Sequence, residues 1–303
     1  MSKTDYRLAT WDEQDRNYIE ISAAEFEELK SAKANVLETM FIEEKMDLVI
    51  ENYLEWENEL LYASARQMVQ LDYSYLSAQS QRNLFSRRIM NVLTACRGYL
   101  DQVGHHLSNI YGEESSIAAV FKKATNEQYD RRLGYRVMEA LRNYVQHRGS
   151  PLHVVVVDRN WVESEHGKRF RSYTGTRFKV SILAEDPKFK KSVLGELQAI
   201  GRDEIDLQGF VREYVGGLSI VHQAIRDELK ADVTKWEAAI CTAIERFRQK
   251  FPDVASGTMF ALSTDHEVWL STEYIESRRG FEQKNRLLSN LADRYVTNEI
   301  VKK

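Results

Sequence analysis

The stretch Arg142-Asn143-Tyr144-Val145-Gln146-His147 brings a guanidinium, a carboxamide and an imidazole close together in the chain. Histidine can take up a proton and return it near neutral pH. Arginine offers a rigid cationic fork that matches phosphate oxygens and stabilises charge gained in a transition state. Asparagine can orient an imidazole or a ribose hydroxyl. Together these groups suit cleavage of a phosphodiester. With RNA, a general base helps the 2′-hydroxyl attack its own phosphate, so neither a metal nor a cofactor is called for. The chain carries no H-x-x-x-H or H-E-x-x-H pattern, no nucleotide phosphate loop and no G-x-S-x-G elbow, so no metal site is expected.

The pattern of apolar residues predicts one helix over 126–148, closed by Gly149-Ser150-Pro151. With Arg142 at zero and about 100° per residue, Gln146 falls near ~40°, Asn143 near ~100°, Arg136 near ~120° and His147 near ~140°. Arg132 and Glu139 share that polar arc, while Leu133, Val137, Met138, Leu141, Tyr144 and Val145 lie opposite. Arg142, His147 and Asn143 are therefore the candidate catalytic residues. Arg132, Arg136, Arg148 and Gln146 are the candidate RNA contacts. The spacing alone is a weak signal. With 25 arginines and 7 histidines in 303 residues, chance supplies about 0.6 such pairs, and two occur. The other, Arg148/His153, straddles Pro151 and cannot lie on one continuous helix.

Arg142-Asn143-x-x-x-His147 resembles the R-x4-6-H motif of the HEPN superfamily, in which a polar residue often follows the arginine. In that family the motif lies on a late helix of a helical bundle. The resemblance covers residues 80–150. It implies a metal-independent endoribonuclease with Arg142 and His147 catalytic and Asn143 as polar helper. The products would carry a 2′,3′-cyclic phosphate and a 5′-hydroxyl. It also implies a homodimer, because two protomers bring their motif helices together into one composite site. Many members act in toxin–antitoxin or antiphage defence systems, alongside an antitoxin or other partner protein. Others have lost catalysis, so a non-catalytic helical interaction or regulatory module is the alternative.

Helices must position these residues. The chain has 3 prolines and 14 glycines, where average usage gives roughly 15 and about 20. The prolines are Pro151, Pro187 and Pro252, so the first 150 residues contain none. That argues against a β-sandwich, a barrel or a proline-rich disordered chain. The expected fold is mainly α: a HEPN-like helical bundle with a small β-hairpin insertion and additional C-terminal helices. The expected divisions are a bundle over 1–150, a β insertion over 151–186 and a further helical region over 187–303.

Charge is unevenly spread although the net value is only −4. Residues 1–60 hold 6 Lys/Arg against 16 Asp/Glu, residues 61–150 hold 12 against 7, and residues 151–183 hold 6 against 3. The basic middle permits an anionic partner such as RNA. The charge split alone suggests that the acidic front covers this surface or meets a partner. Cys96 and Cys241 sit in apolar stretches without a C-x-x-C pair, which predicts two buried thiols in a reducing cytoplasm. The N-terminal residues are polar, so no secretory signal is expected. No apolar run is long enough to predict a membrane span.

Along the chain, Asn17–Ile21 reads as a short strand, and Ser22 with Glu25 as a capping box. A long helix, kinked somewhere, should run to about Leu71. Ser77–Gln81 reads as a break before a helix over Arg82–Ile110. Gly112–Ser116 reads as a turn before a short helix to Ala124. Leu152–Asp158 and Arg177–Leu183 read as two strands joined by a polar loop. Helices are expected near 188–200, 206–250 with a break at Gly216-Gly217, and 272–298. A short strand at Glu267–Leu270 is expected to join the hairpin's sheet. Asp203, Glu204 and Asp206 read as helix-capping acids rather than metal ligands. Lys168, Arg169, Arg171, Tyr173 and Arg177, interleaved with Phe170 and Phe178, read as a solvated hairpin more readily than as a platform for single-stranded RNA. The five scattered tryptophans are expected to serve packing.

Overall fold

The computed structural model describes residues 6–10, 17–70, 74–164, 167–254 and 259–288. Trp11 and the end of the expected 272–298 helix lie outside them. The fold is mainly α with a few small strands, as composition and periodicity predict.

Helix α1 spans Ala23–Val69 without interruption. Ser22 Oγ accepts the Glu25 N–H at 3.1 Å. The return half of the capping box is replaced by a longer reach, because the Glu25 carboxylate takes Arg246 at 2.5 Å. No break interrupts α1, which contains neither proline nor glycine to open its ladder. Helix α2 spans Tyr75–Tyr111 and runs straight through Ser77–Gln81. Helix α1 ends at Val69 and α2 begins at Tyr75, ahead of the expected break.

The predicted helix over 126–148 is two helices, α3 (Ser116–Arg131) and α4 (Leu133–His147). Arg132 separates them in an extended conformation, φ −117° and ψ 115°. The cause is tertiary. The Gly134 N–H donates to Glu213 at 2.7 Å. A Cβ at Gly134 would sit 2.7 Å from the Glu213 Cβ and 2.9 Å from the Phe210 Cα. Only glycine allows so close an approach.

The hairpin is longer than its apolar residues suggest. Strands β3 (Val154–Ser164) and β4 (Gly167–Lys179) pair antiparallel through the polar stretch expected to be a loop. Small hydroxyl residues fill the inward positions: Ser172, Thr174 and Thr176 are buried. Ser172 Oγ donates to the Ser64 carbonyl at 3.1 Å, and the Thr174 N–H donates to Ser64 Oγ at 3.0 Å. The expected strand over Arg177–Leu183 turns helical at Val180 to form α5 (Val180–Ala184). Asp203 causes the switch, accepting the Ser181 N–H at 2.7 Å and its hydroxyl at 3.0 Å. Asp206 likewise caps the next long helix through the Gln208 N–H at 2.8 Å. Glu204 faces Arg177 and Lys179, each at 3.6 Å. The acidic cluster is thus used for capping and pairing.

Helix α6 spans Lys191–Ala199, strand β5 (Glu204–Asp206) lies beside β4, and α7 spans Gln208–Lys250. Gly216-Gly217 does not break α7. A Cβ at Gly217 would lie 2.9 Å from Tyr135 Cδ2, so this glycine lets an aromatic ring approach the helix. Strands β1 (Arg7–Thr10), β2 (Tyr18–Glu20), β6 (Met259–Leu262) and β7 (Glu267–Leu270) form a second sheet, ordered β2-β1-β6-β7. Glu267–Leu270 therefore pairs with β6 and not with the hairpin. Helix α8 spans Glu273–Lys284.

Contacts divide the chain into two units that do not coincide with the three consecutive segments expected from the sequence. One comprises 1–45, 102–120 and 224–286, the other 46–101, 121–223 and 287–303. The long helices α1, α2 and α7 each contribute to both. The first unit holds the four-stranded sheet over a core of Leu8, Phe26, Val36, Ile240, Phe247 and Leu270. The second holds the hairpin and α4, with Trp56, Phe85, Tyr99, Leu141 and Tyr214 buried.

Tryptophans do not all pack inward: Trp56 is fully buried, whereas Trp161 is 69% and Trp269 44% exposed. Cys96 is buried and Cys241 only partly so, and both are free thiols. Among the described residues no helix is long and apolar enough to cross a membrane.

Candidate active site

Helix α4 is held by its apolar face, on which Tyr135, Val137, Met138, Leu141 and Tyr144 are buried. Its polar face does not behave as one surface. At the N-terminal end the arginines are engaged in structure. The Arg136 fork grips Glu196 at 3.1 and 2.5 Å. Its remaining nitrogen donates to the Tyr129 and Asp130 carbonyls at 2.8 and 2.7 Å. Arg136 thereby closes the C-terminal end of α3 and ties α4 to α6. Arg132 Nε donates to Gln128 at 2.9 Å. Both were candidate RNA contacts; the structure commits Arg136 to the fold.

At the C-terminal end the picture changes. Arg142 donates to Asn143 Oδ1 at 3.0 Å and has no carboxylate partner among the described residues. Gln146 and His147 are exposed, and neither makes a side-chain hydrogen bond among the described residues. Arg148, the other candidate RNA contact, is half-exposed and pairs with Asp186 at 3.2 Å.

Asn143 and His147, one turn apart, open into a cleft of about 280 Å³. Glu139, Ala140 and Tyr144 continue its α4 wall, and Tyr129 stands at the end of α3. The opposite wall is the turn between α5 and α6, supplying Asp186, Lys188, Phe189 and Lys190. That turn is fixed by Phe189, which is buried and meets Tyr144 edge-on with ring centroids 6.2 Å apart. Asp186 shapes it further, accepting the Lys188 N–H at 3.1 Å. With Phe189 pointing in, the lysines on either side are exposed. The Lys190 ammonium contacts the Tyr129 hydroxyl and lies 4.7 Å from the ring centroid.

The acids of the cleft are matched by their own partners. Glu139 accepts the Tyr214 hydroxyl and stands 3.9 Å from Arg97. Asp186 has Arg148. Lys188 and Lys190 have no carboxylate partner among the described residues, so the cleft favours an anion. Burial, reinforced by Asp186 and Glu185, raises the Tyr144 pKa above the usual phenol value, so Tyr144 stays neutral.

Arg142 does not line this cleft. The helical geometry explains it, since Arg142 and His147 are separated by about 140° around one helix. Sequence reasoning found His147 and Asn143 and missed Lys188, Phe189 and Lys190. Their signal, an alternating Lys-Phe-Lys after Asp186-Pro187, is too short to stand out from an ordinary turn.

Several residues of the hairpin are engaged within the fold. Tyr173 donates to Gln208 at 2.8 Å, Arg177 faces Glu204, and Phe178 is buried against Phe210. Lys168 is exposed. The side chains of Arg169, Phe170 and Arg171 lie outside the described residues. The chain matches no family model, no curated protein and no solved structure.

Proposed function

We propose that this protein is a metal-independent endoribonuclease of HEPN type, acting as a homodimer. One observation carries the reading: His147 is exposed, without a side-chain partner among the described residues, and opens into a cation-rimmed cleft beside Asn143, whose side-chain carbonyl is held by Arg142. A general base needs an accessible imidazole, and a phosphate needs cations that are not already neutralised. His147 takes the 2′-hydroxyl proton or returns one to the leaving oxygen. Arg142 stabilises charge on the scissile phosphate. Asn143 holds the guanidinium and offers its amide N–H groups to the ribose or phosphate. Because Arg142 and His147 diverge on one helix, Arg142 from a second copy completes the site.

The test is incubation of purified protein with total RNA in EDTA, beside His147→Ala and Arg142→Ala. Chelator-resistant cleavage that both substitutions abolish supports the reading. Equal cleavage in all three preparations identifies a contaminant and overturns it. A toxin or antiphage effector should also stunt its host when expressed, and His147→Ala should relieve that effect.

A second reading, a non-catalytic interaction module, draws on a different region. Val69, Tyr75 and Leu76, where α1 ends and α2 begins, are 82%, 83% and 75% exposed. Exposed apolar side chains of this size suit a protein contact. Absence of cleavage together with capture of a protein partner that Tyr75→Ser with Leu76→Ser abolishes would favour it.

A further inference from the structure

Beyond the motif, the cleft has its own chemistry. Its accessible polar groups are mostly donors: the Asn143 amide, the Lys188 and Lys190 ammonium groups, and His147 when protonated. Its accessible carboxylates are already matched, Glu139 by Tyr214 and Arg97, and Asp186 by Arg148. Its aromatic and apolar lining comes from Tyr144, Phe189 and Ala140, together with the partly exposed Tyr129. A volume of about 280 Å³ lies at the small end of ligand sites, which run from roughly 300 Å³ upward. It is too small for a duplex and of the right order for one flat ring with a phosphate on its sugar.

We infer that the cleft seats a single unpaired nucleotide flanking the scissile phosphate, and that Lys188 and Lys190 hold that nucleotide's other phosphate. This assignment rests on the ribonuclease reading, because it takes His147 as the mark of the scissile position. It adds two substrate-binding residues on a different element from the motif helix. The turn carrying them is braced by Phe189, so the lysines are pre-positioned rather than tethered to a loose loop. The arrangement selects single-stranded RNA, since a base held in a helical stack is not free to enter a cleft of this size. Lys190 already covers the Tyr129 ring, so an entering base would displace or sandwich that contact.

The experiment separates binding from cleavage. A short single-stranded RNA with 2′-O-methyl riboses cannot be cut by its own 2′-oxygen, so its affinity reports binding without cleavage. Fluorescence anisotropy with this RNA would compare the wild type, Lys188→Ala, Lys190→Ala and the double variant, with Lys191→Ala as an exposed control outside the cleft. The double variant should lose about tenfold or more in affinity, and its dependence on log salt should flatten by roughly one charge per lysine removed. Lys191→Ala should bind as wild type. On cleavable RNA, each cleft substitution should raise KM while leaving kcat within about twofold. Unchanged affinity in the double variant, with wild-type melting behaviour, overturns the assignment even if RNA is cleaved. Lysine-dependent binding without chelator-resistant cleavage overturns the ribonuclease reading and leaves the nucleotide site standing.

Discussion

The chain contains two Arg-x4-His pairs, Arg142/His147 and Arg148/His153, and the structure treats them oppositely. His147 is exposed at the end of α4, facing a cleft and without a side-chain partner among the described residues. His153, just beyond Pro151, is consumed by the fold: its Nδ1 accepts the Lys179 N–H at 2.9 Å, at the junction of β4 and α5. Burial, with Arg82 and Lys179 nearby, lowers its pKa below the usual imidazole value. Arg148 is tied to Asp186, while Arg142 holds Asn143 alone among the described residues. Residue type and spacing are the same in both pairs. What differs is whether hydrogen-bonding capacity is left over after the fold has taken its share.

The same contrast runs along α4 itself. Arg136 has a carboxylate and two carbonyls on its guanidinium, whereas Arg142, less than two turns later, has a single neighbouring amide. An arginine with most of its five N–H donors occupied holds structure, and one with most of them free can meet a ligand.

Four substitutions would break or sharpen this contrast. The largest effect should come from His147→Ala, which is expected to lower RNA cleavage by about 10²- to 10⁴-fold while leaving the thermal midpoint unchanged. A large drop in melting temperature would mean that His147 is structural after all. Next, Arg136→Ala should do the reverse. It leaves Glu196 and two helix-end carbonyls without their donor, so unfolding in urea should show a loss of about 2 kcal/mol, with cleavage per folded molecule retained. If cleavage collapsed instead, the division of α4 into a structural and a chemical half would fail.

A smaller loss, about 1 kcal/mol, is expected for His153→Ala, which removes the acceptor of the Lys179 N–H. The pH sign follows from the lowered pKa. The folded state keeps His153 neutral while the unfolded chain binds a proton near the ordinary value of about 6.5. Its contribution is therefore complete above that value and is lost as pH falls through the lower folded-state value. Stability curves of wild type and His153→Ala should converge on acidification. The least effect belongs to Arg148→Ala. A half-exposed pair with Asp186 is worth about 0.5 kcal/mol, measurable by denaturation. A loss of RNA affinity exceeding that of the cleft lysine variants would restore Arg148 as a primary RNA contact.

Parts of this architecture were legible in the residues alone. The scarcity of proline and glycine predicted long helices, and the β-branched run after Pro151 predicted a hairpin. Ser22 announced the start of α1. The acidic front was legible as a charge imbalance but not as what it does within the two units. There, Glu25, Glu38 and Glu43 meet Arg246, His106 and Arg226, while Glu57 receives Arg212 at 2.6 and 2.9 Å. These pairings join residues far apart in sequence, so no local pattern could reveal them. The length of the hairpin was hidden for a related reason. Its middle is polar because hydroxyls, not apolar side chains, fill the inward positions beside Ser64.

The sequence by itself determined that α4 would be amphipathic, that it would end before Pro151, and that Arg142, Asn143 and His147 would lie toward its last turns. Those features depend on residue spacing and local backbone preference, which are written in the chain order. Only the tertiary structure decided where α4 begins, which arginines keep free donors, and what stands across from His147. Gly134 against Glu213 sets the start of the helix, Glu196 takes Arg136, and Phe189 holds Lys188 and Lys190 at the cleft. Each of these is a contact between elements distant in sequence. Its outcome depends on burial, steric fit and competition for hydrogen-bond donors, none of which exists until the elements pack.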